Sequence, residues 1–437
     1  MENNNHLSTQ RSLSDPQKTV VRPDILLAGF VLLIAGLTGI APPVLQAICI
    51  FAACAMFLFT DGIYLVYAIM LFYENALGTV FGISIYRIFS LAYLVITVLR
   101  CGTIKFQYRQ LLVLCLLALH CIATLAEENF SRALFPAIDM LCIILLINCY
   151  LQDHENLRLF FTFYTITALI AYFTGFQTEA VVSHELINGE YVEIYRNSAT
   201  FEDPNYMSFF YTVAVFATAA FKLFHKALRI LIIIALYAIM LTSVSVTAVL
   251  VNIALWLVYL LITKSVSPKG IALILIGLVL IFGLYQYGVK NPEDPVLGAV
   301  VMRVSEKIDQ AQSGDMTSAT TLRSDLQKQH WEYFMEQPFL KQLVGLNAAS
   351  ALKMDLPGIK GLAHNEYIDW LLNVGVIGTI IMFYYLIRST ASAAIAYVKD
   401  KTDSQALGIT MLKGTWILYG LALTFFGDFR FVLFFLL

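Results

Sequence analysis

Long apolar runs separated by short polar connections dominate the chain. They cover residues 25–40, 44–60, 62–74, 83–99, 110–125, 133–150, 158–176, 205–222, 228–243, 246–263, 270–288, 366–388 and 406–427. A helix needs about 20 apolar residues to cross a bilayer. Barrel strands, by contrast, are short and alternate between apolar and polar positions. The continuous runs therefore predict an all-α integral membrane protein, a polytopic bundle of about 12–14 transmembrane helices. A shorter apolar tail, residues 429–437, is expected to form a partial helix or a re-entrant end. Two large polar stretches, residues 177–204 and 289–364, interrupt the pattern.

Short loops rich in Lys and Arg stay on the cytoplasmic side. Arg100, Lys105 and Arg109, then Lys222, Lys226 and Arg229, then Lys264 and Lys269, then Arg388, Lys399 and Lys401 fall between alternate runs. This places residues 1–23 as a retained cytoplasmic tail and residues 24–437 as a single transmembrane domain. The Glu127-Glu128 connection and both large loops are then external. Within the second loop, residues 320–337 read as a helix, capped by Thr320 or Thr321 and limited by Pro338.

Composition agrees with this reading and narrows the function. The 437 residues are 59% hydrophobic and 13% charged, against about 25% charged in soluble domains. A net charge of −2 gives no footprint for nucleic acid. The seven cysteines lie between Cys49 and Cys149, so neither large loop holds a disulfide framework. No His-Glu-x-x-His site, Gly-x-Ser-x-Gly elbow or nucleotide phosphate loop occurs. None of the familiar metal or nucleotide motifs is present, so no cofactor is expected, nor is ATP-driven transport by this chain alone.

The most informative chemistry is His364-Asn365, followed by Gly375-Val-Ile-Gly378. His364 stands where the second loop meets an apolar helix, at the water-facing edge of the membrane. Asn365 can cap that helix, whose positive end disfavours a protonated imidazole. A histidine that is neutral at neutral pH is what a general base requires. Gly375 and Gly378 follow His364 by 11 and 14 residues, which returns both to nearly one helix face. Small residues there let a neighbouring helix approach closely. An interfacial histidine with ordinary glycine packing explains the same pattern.

Arg196, Arg303 and Arg323 lie in the large loops and could hold a phosphate through paired hydrogen bonds. A solvated charge is the plainer alternative for each. Arg323 and His330 are seven apart and share a helix face beside Trp331. Glu202-Asp203-Pro204-Asn205 reads as a turn and helix cap, with carboxylates that could also meet a metal or a sugar hydroxyl. Glu74, Arg87, Asp139 and Asp369 are costly in lipid, yet each can sit near a span end.

Three segments, in order, resemble the O-antigen ligase and polymerase superfamily, whose members transfer glycans from polyprenyl-pyrophosphate carriers. They are Arg196-Asn-Ser-Ala-Thr-Phe-Glu-Asp-Pro-Asn205, the stretch from Leu322-Arg323 through Trp331, Pro338 and Gly345, and His364-Asn365 with its glycine spacing. The resemblance covers most of residues 190–390. It implies metal-independent inverting transfer in a bacterial inner membrane, on its periplasmic or extracellular face. His364, Arg323 and Arg196 would be catalytic; Arg303, His330, Trp331, Asn365 and Asn205 would bind substrate. The substrates would be polyprenyl-pyrophosphate-linked oligosaccharides, with a chain-length regulator and a flippase as partners. Members often carry an arginine after a serine near the external end of a middle helix. Residues Leu241–Thr247 have none, so either Arg303 supplies that charge or pyrophosphate is bound differently. A repeat-unit polymerase is the leading expectation. An O-antigen ligase or protein O-oligosaccharyltransferase follows. A non-catalytic transporter would need polarity through the membrane centre, where this chain has little.

Overall fold

A computed structural model describes residues 22–101, 110–116, 118–119, 130–175, 181–187, 190–263, 279, 282–314, 320, 323–346, 355–356, 359–425 and 429–437. Its helices are α1 (Pro23–Gly36), α2 (Pro43–Met56), α3 (Ile63–Tyr73), α4 (Ile85–Arg100), α5 (Phe130–Leu145, continued by a π-helical turn, Leu146–Leu151), α6 (His154–Gly175), α7 (Pro204–Ala220), α8 (Lys226–Leu241) and α9 (Val246–Thr263). After them come α10 (Leu297–Gln312), α11 (Arg323–Met335), α12 (Phe339–Val344), α13 (Glu366–Lys399), α14 (Ser404–Gly420) and α15 (Phe429–Leu436). The molecule is mostly helical, as the apolar runs predicted. Residues 154–174, 246–263 and 366–399 form helices both long and apolar enough to cross a membrane; α1, α2 and α3 are apolar but shorter. The predicted N-terminal tail, the Glu127-Glu128 connection and most of the 270–288 run lie outside the described residues.

At the centre, α3 buries all its side chains and α7 nearly all of its own. A helix apolar on every face has no reason to face water, and both are enclosed by their neighbours. Hydroxyls and amides tie the bundle together, as packing without a hydrophobic drive between helices favours. Asn252 Nδ2 donates to Thr212 Oγ1 at 2.9 Å, and Thr212 Oγ1 also meets Tyr419 OH at 3.0 Å.

Three departures from expectation matter for the site. The first large loop contains an antiparallel hairpin, β3 (Val181–Ile187) with β4 (Glu190–Arg196), following a two-residue pair, β1 (Thr79–Val80) with β2 (Ile83–Ser84). A third small pair, β5 (Asp355–Leu356) with β6 (Ile359–Lys360), precedes α13. Second, α13 runs eleven residues past the predicted end at Arg388, through a Ser/Ala-rich stretch that favours helix beyond the apolar run. Third, α14 ends at Gly420 rather than 427, and residues 421–425 leave the helix to bond with α13 and α11. The apolar tail forms the short helix α15, one of its two expected forms, packed within the core. Its last carbonyls are capped from inside: Lys413 Nζ donates to Phe435 O and Tyr385 OH to Leu436 O, both at 2.7 Å.

Candidate functional site

His364 sits in the turn before α13 with a left-handed backbone, φ 50. Histidine tolerates that region better than most residues, at a cost of about 1–3 kcal/mol. Asn365 caps the helix as predicted, its side-chain oxygen accepting from Tyr367 N at 3.0 Å and Ile368 N at 3.3 Å. The imidazole is pushed down from 6.5 to about 4, by burial first, then by Arg323, with His330 adding to the effect and Asp203 opposing it. His364 is therefore neutral at neutral pH. Burial and a neighbouring cation explain this before any helix dipole need be invoked.

Each residue that acts on His364 is held by its own local bonds. Thr320 caps the start of α11, its Oγ1 accepting from Ser324 N at 3.0 Å. On that helix His330 is buried and its Nδ1 donates to Leu326 O at 2.7 Å. The carbonyl can only accept, so Nε2 is the acceptor nitrogen. Burial lowers the His330 pKa as well. Arg323, at the start of α11, donates to Ala422 O at 3.1 Å. Asp203 caps α7, accepting from Asn205 N at 2.6 Å. Trp331 is not drawn in: it is 47% exposed, about 100° round α11 from the buried His330.

A second group forms on the turn between α8 and α9. Arg196, at the end of β4, is buried; its Nε donates to Ser243 O at 2.9 Å and its Nη2 to Asn205 Oδ1 at 3.2 Å. Ser245 Oγ donates to the same Asn205 oxygen at 2.9 Å. Arg303 on α10, also buried, donates to Val244 O. Val244 has φ 49, an outlier for a β-branched residue. Two guanidiniums thus converge on the turn at residues 243–244, in the segment that lacks an arginine of its own.

Residues 421–425 connect these parts. Ala422 O receives Arg323. Thr424 Oγ1 donates to Asp369 Oδ2 at 2.7 Å, and Thr424 O accepts from Tyr206 OH at 2.9 Å. Phe425 N donates to Glu366 Oε2, whose partner oxygen accepts from Trp370 Nε1 at 2.8 Å. The buried acids of the first turn of α13 thus hold the segment that holds Arg323. Among the described residues no cluster of three or more His, Cys, Asp or Glu is placed to bind a metal.

The expected glycine seam takes a different form. Gly375 has φ 65 and ψ −174, a conformation essentially reserved for glycine, and it kinks α13. The two glycines therefore do not stack on one uninterrupted helix face. The close neighbour of Gly375 is not a long helix but the backbone of Leu343–Gly345, which an added Cβ would overlap. At Gly378 a Cβ would instead crowd Val374 of the same helix.

Residues 230–383 are similar to the O-antigen ligase family. The match supports the O-antigen ligase and polymerase superfamily, whose members are glycosyltransferase-like enzymes acting on lipid-linked glycans. No curated protein matches the chain. The O-antigen ligase segment begins in α8 and ends in α13. It contains the 243–245 turn, Arg303, Arg323, His330, His364, Gly375 and Gly378, whereas Arg196, Asp203 and Asn205 lie ahead of it. The sequence offered Asp203 as a cap, or as a carboxylate for a metal or a sugar hydroxyl, and gave no role to Ser243, Ser245 or Glu366. For Asp203 the signal was an acidic residue directly before Pro204-Asn205. For the serines it was a polar Ser-Val-Ser break between two apolar runs.

Proposed function

We propose that this protein joins polyprenyl-pyrophosphate-linked oligosaccharide repeat units into a surface polysaccharide, by inverting, metal-independent transfer at the outer face of the bacterial inner membrane. The charges of Arg323, His330 and Asp203 acting on a neutral His364, with Asp203 capping the helix whose Asn205 meets Arg196, carry this reading. The acceptor hydroxyl attacks the anomeric carbon while the bond to the pyrophosphate breaks. His364 orients that hydroxyl and takes its proton. Arg323, whose charge acts on His364, stabilises the charge that gathers on the departing pyrophosphate together with Arg196 and Arg303. A bound pyrophosphate offsets the Arg323 charge. It thereby lifts the His364 pKa, so the base strengthens when the donor is in place.

In this reading about 12–14 spans cross the membrane, the N-terminus is cytoplasmic, and both large loops face outward. A flippase supplies the donor and a chain-length regulator acts on the product. The compact first loop and the Asp203–Tyr206 segment favour a lipid-linked acceptor. The description of the matching family favours a second reading, a ligase that moves finished glycan to another acceptor. Deletion separates the two. Loss of a polymerase leaves surface glycan capped with a single repeat. Loss of a ligase leaves full-length polymer on the lipid carrier, and that outcome overturns the first reading. Purified protein that extends lipid-linked repeats only when divalent metal is present would overturn the metal-independent mechanism.

A further inference from the structure

We propose that the corner between α11 and α12, residues 331–346, inserts into the headgroup-to-acyl boundary of the bilayer beside α13, with Phe339, Leu340 and Val344 against lipid chains. The corner belongs to a stretch that sequence alone assigns to an external polar loop. Three independent observations place it lower.

The first is depth. Arg388 on α13 is exposed and charged and marks one edge of the hydrocarbon. A hydrocarbon layer of about 30 Å takes about 20 helical residues, which puts the other edge near Ile368. Gly375 then lies roughly 10 Å inside that edge. The backbone of α12 docks there: Leu346 N donates to Leu372 O at 2.8 Å, and Gly345 abuts Asn373 and Gly375. Phe334 and Leu372 share a small core with Leu356 and Ile359, so α11 also descends along the first third of α13.

The second is the exposed surface. Phe339 is 74% exposed, Leu340 68% and Val344 57%. Trp331 and Met335, one turn apart on α11, extend the same apolar character. On α13, Ile377 and Ile380 are exposed just beyond the docking point, so the apolar surface continues onto a helix long enough to span. Glu336 and Lys341 are exposed on the corner and limit insertion to the boundary layer, the depth of about 5–10 Å typical of interfacial helices.

The third is backbone satisfaction. A carbonyl facing lipid without a partner costs several kcal/mol, so non-helical backbone at depth must be satisfied internally. Here side chains do this at the turn. Gln342 Nε2 donates to Met335 O at 2.9 Å and to Gln337 O at 2.8 Å. Gln337 Nε2 donates to Tyr333 O at 3.1 Å. A turn in water needs no such arrangement, because solvent would serve these carbonyls.

The test uses the full-length protein in vesicles, with Phe339→Trp as the probe and Leu340→Trp as a second in case the first misfolds. The emission added by the new tryptophan should be blue-shifted, quenched by phospholipids brominated on the upper acyl chain, and shielded from aqueous iodide. Emission quenched by iodide and untouched by bromolipid would overturn the proposal. So would shielding from both quenchers together with cross-linking between copies, which would mean that a second chain covers the corner. The readout needs a bilayer but no glycan transfer, so its failure and that of the proposed function are distinguishable.

Discussion

Arg196 and Arg303 reach the 243–245 turn with buried guanidiniums bonded to backbone carbonyls, whereas Arg323, His330 and Asp203 act on His364 mainly through charge and burial. The first group is geometric. Its donors are fixed by carbonyls that cannot move without refolding the turn, so it suits an anion of fixed shape. The second group is electrostatic. His364 has a loop backbone and competing charged neighbours, so its proton affinity responds to what binds. The proposed transfer would use both, a rigid cradle for the leaving group and a tunable acceptor for the proton.

Removing the tunable centre should cost most. His364→Ala, in protein that inserts normally, should slow extension of lipid-linked repeats by about 10²–10⁴-fold, the usual range for a positioned acid–base group. An unchanged initial rate would remove His364 from the chemistry and leave only the cradle. The next largest effect separates the halves by a single substitution type. Arg196→Lys keeps the charge but loses the planar fork that meets Ser243 O and Asn205 Oδ1 together. It should lower kcat/KM by about 10–100-fold, from losing charged hydrogen bonds of about 1.5–3 kcal/mol. Arg323→Lys should be milder, because its contribution to His364 is chiefly its charge. Equal losses at the two positions would erase the distinction between a geometric and an electrostatic half.

Helix placement was legible because apolar runs in lipid have few alternatives. The start of α13 was legible too, since Asn365 caps it as its residue type predicts. Less legible was whatever depends on two distant segments meeting. Gly375 reads as a packing glycine from spacing alone; its positive φ follows from the backbone of Leu343–Gly345 pressing against it. Residues 421–425 are apolar enough to continue α14, yet they leave it because Glu366 and Asp369 offer better partners to Phe425 N and Thr424 Oγ1. The β3–β4 hairpin could have been read. Asn188-Gly189 stands between alternating segments, the strongest short-range hairpin signal. Arg303 was named as a possible stand-in for a missing arginine, and its bond to Val244 O needed the fold to be seen.

The smallest effects give the finest test of the electrostatic half, because their signs oppose. With its pKa held near 4, His364 is neutral across the neutral range, so the rate should stay flat as pH falls through 6.5 and drop only as it approaches 4. In the folding equilibrium the unfolded histidine protonates first, so stability is also lost as pH falls from 6.5 towards 4. Arg323→Gln removes a charge that lowers the pKa and should move the acid limb of the free-enzyme kcat/KM profile upward. The limb should still stay below 6.5, because burial is the larger cause. Asp203→Asn keeps a capping oxygen but removes the charge that raises the pKa, and should move the limb downward. Both variants can lower the absolute rate for other reasons, so the position of the limb is the measurement. Limbs that shift in the same direction, or not at all, would show that the charges around His364 do not set its proton affinity.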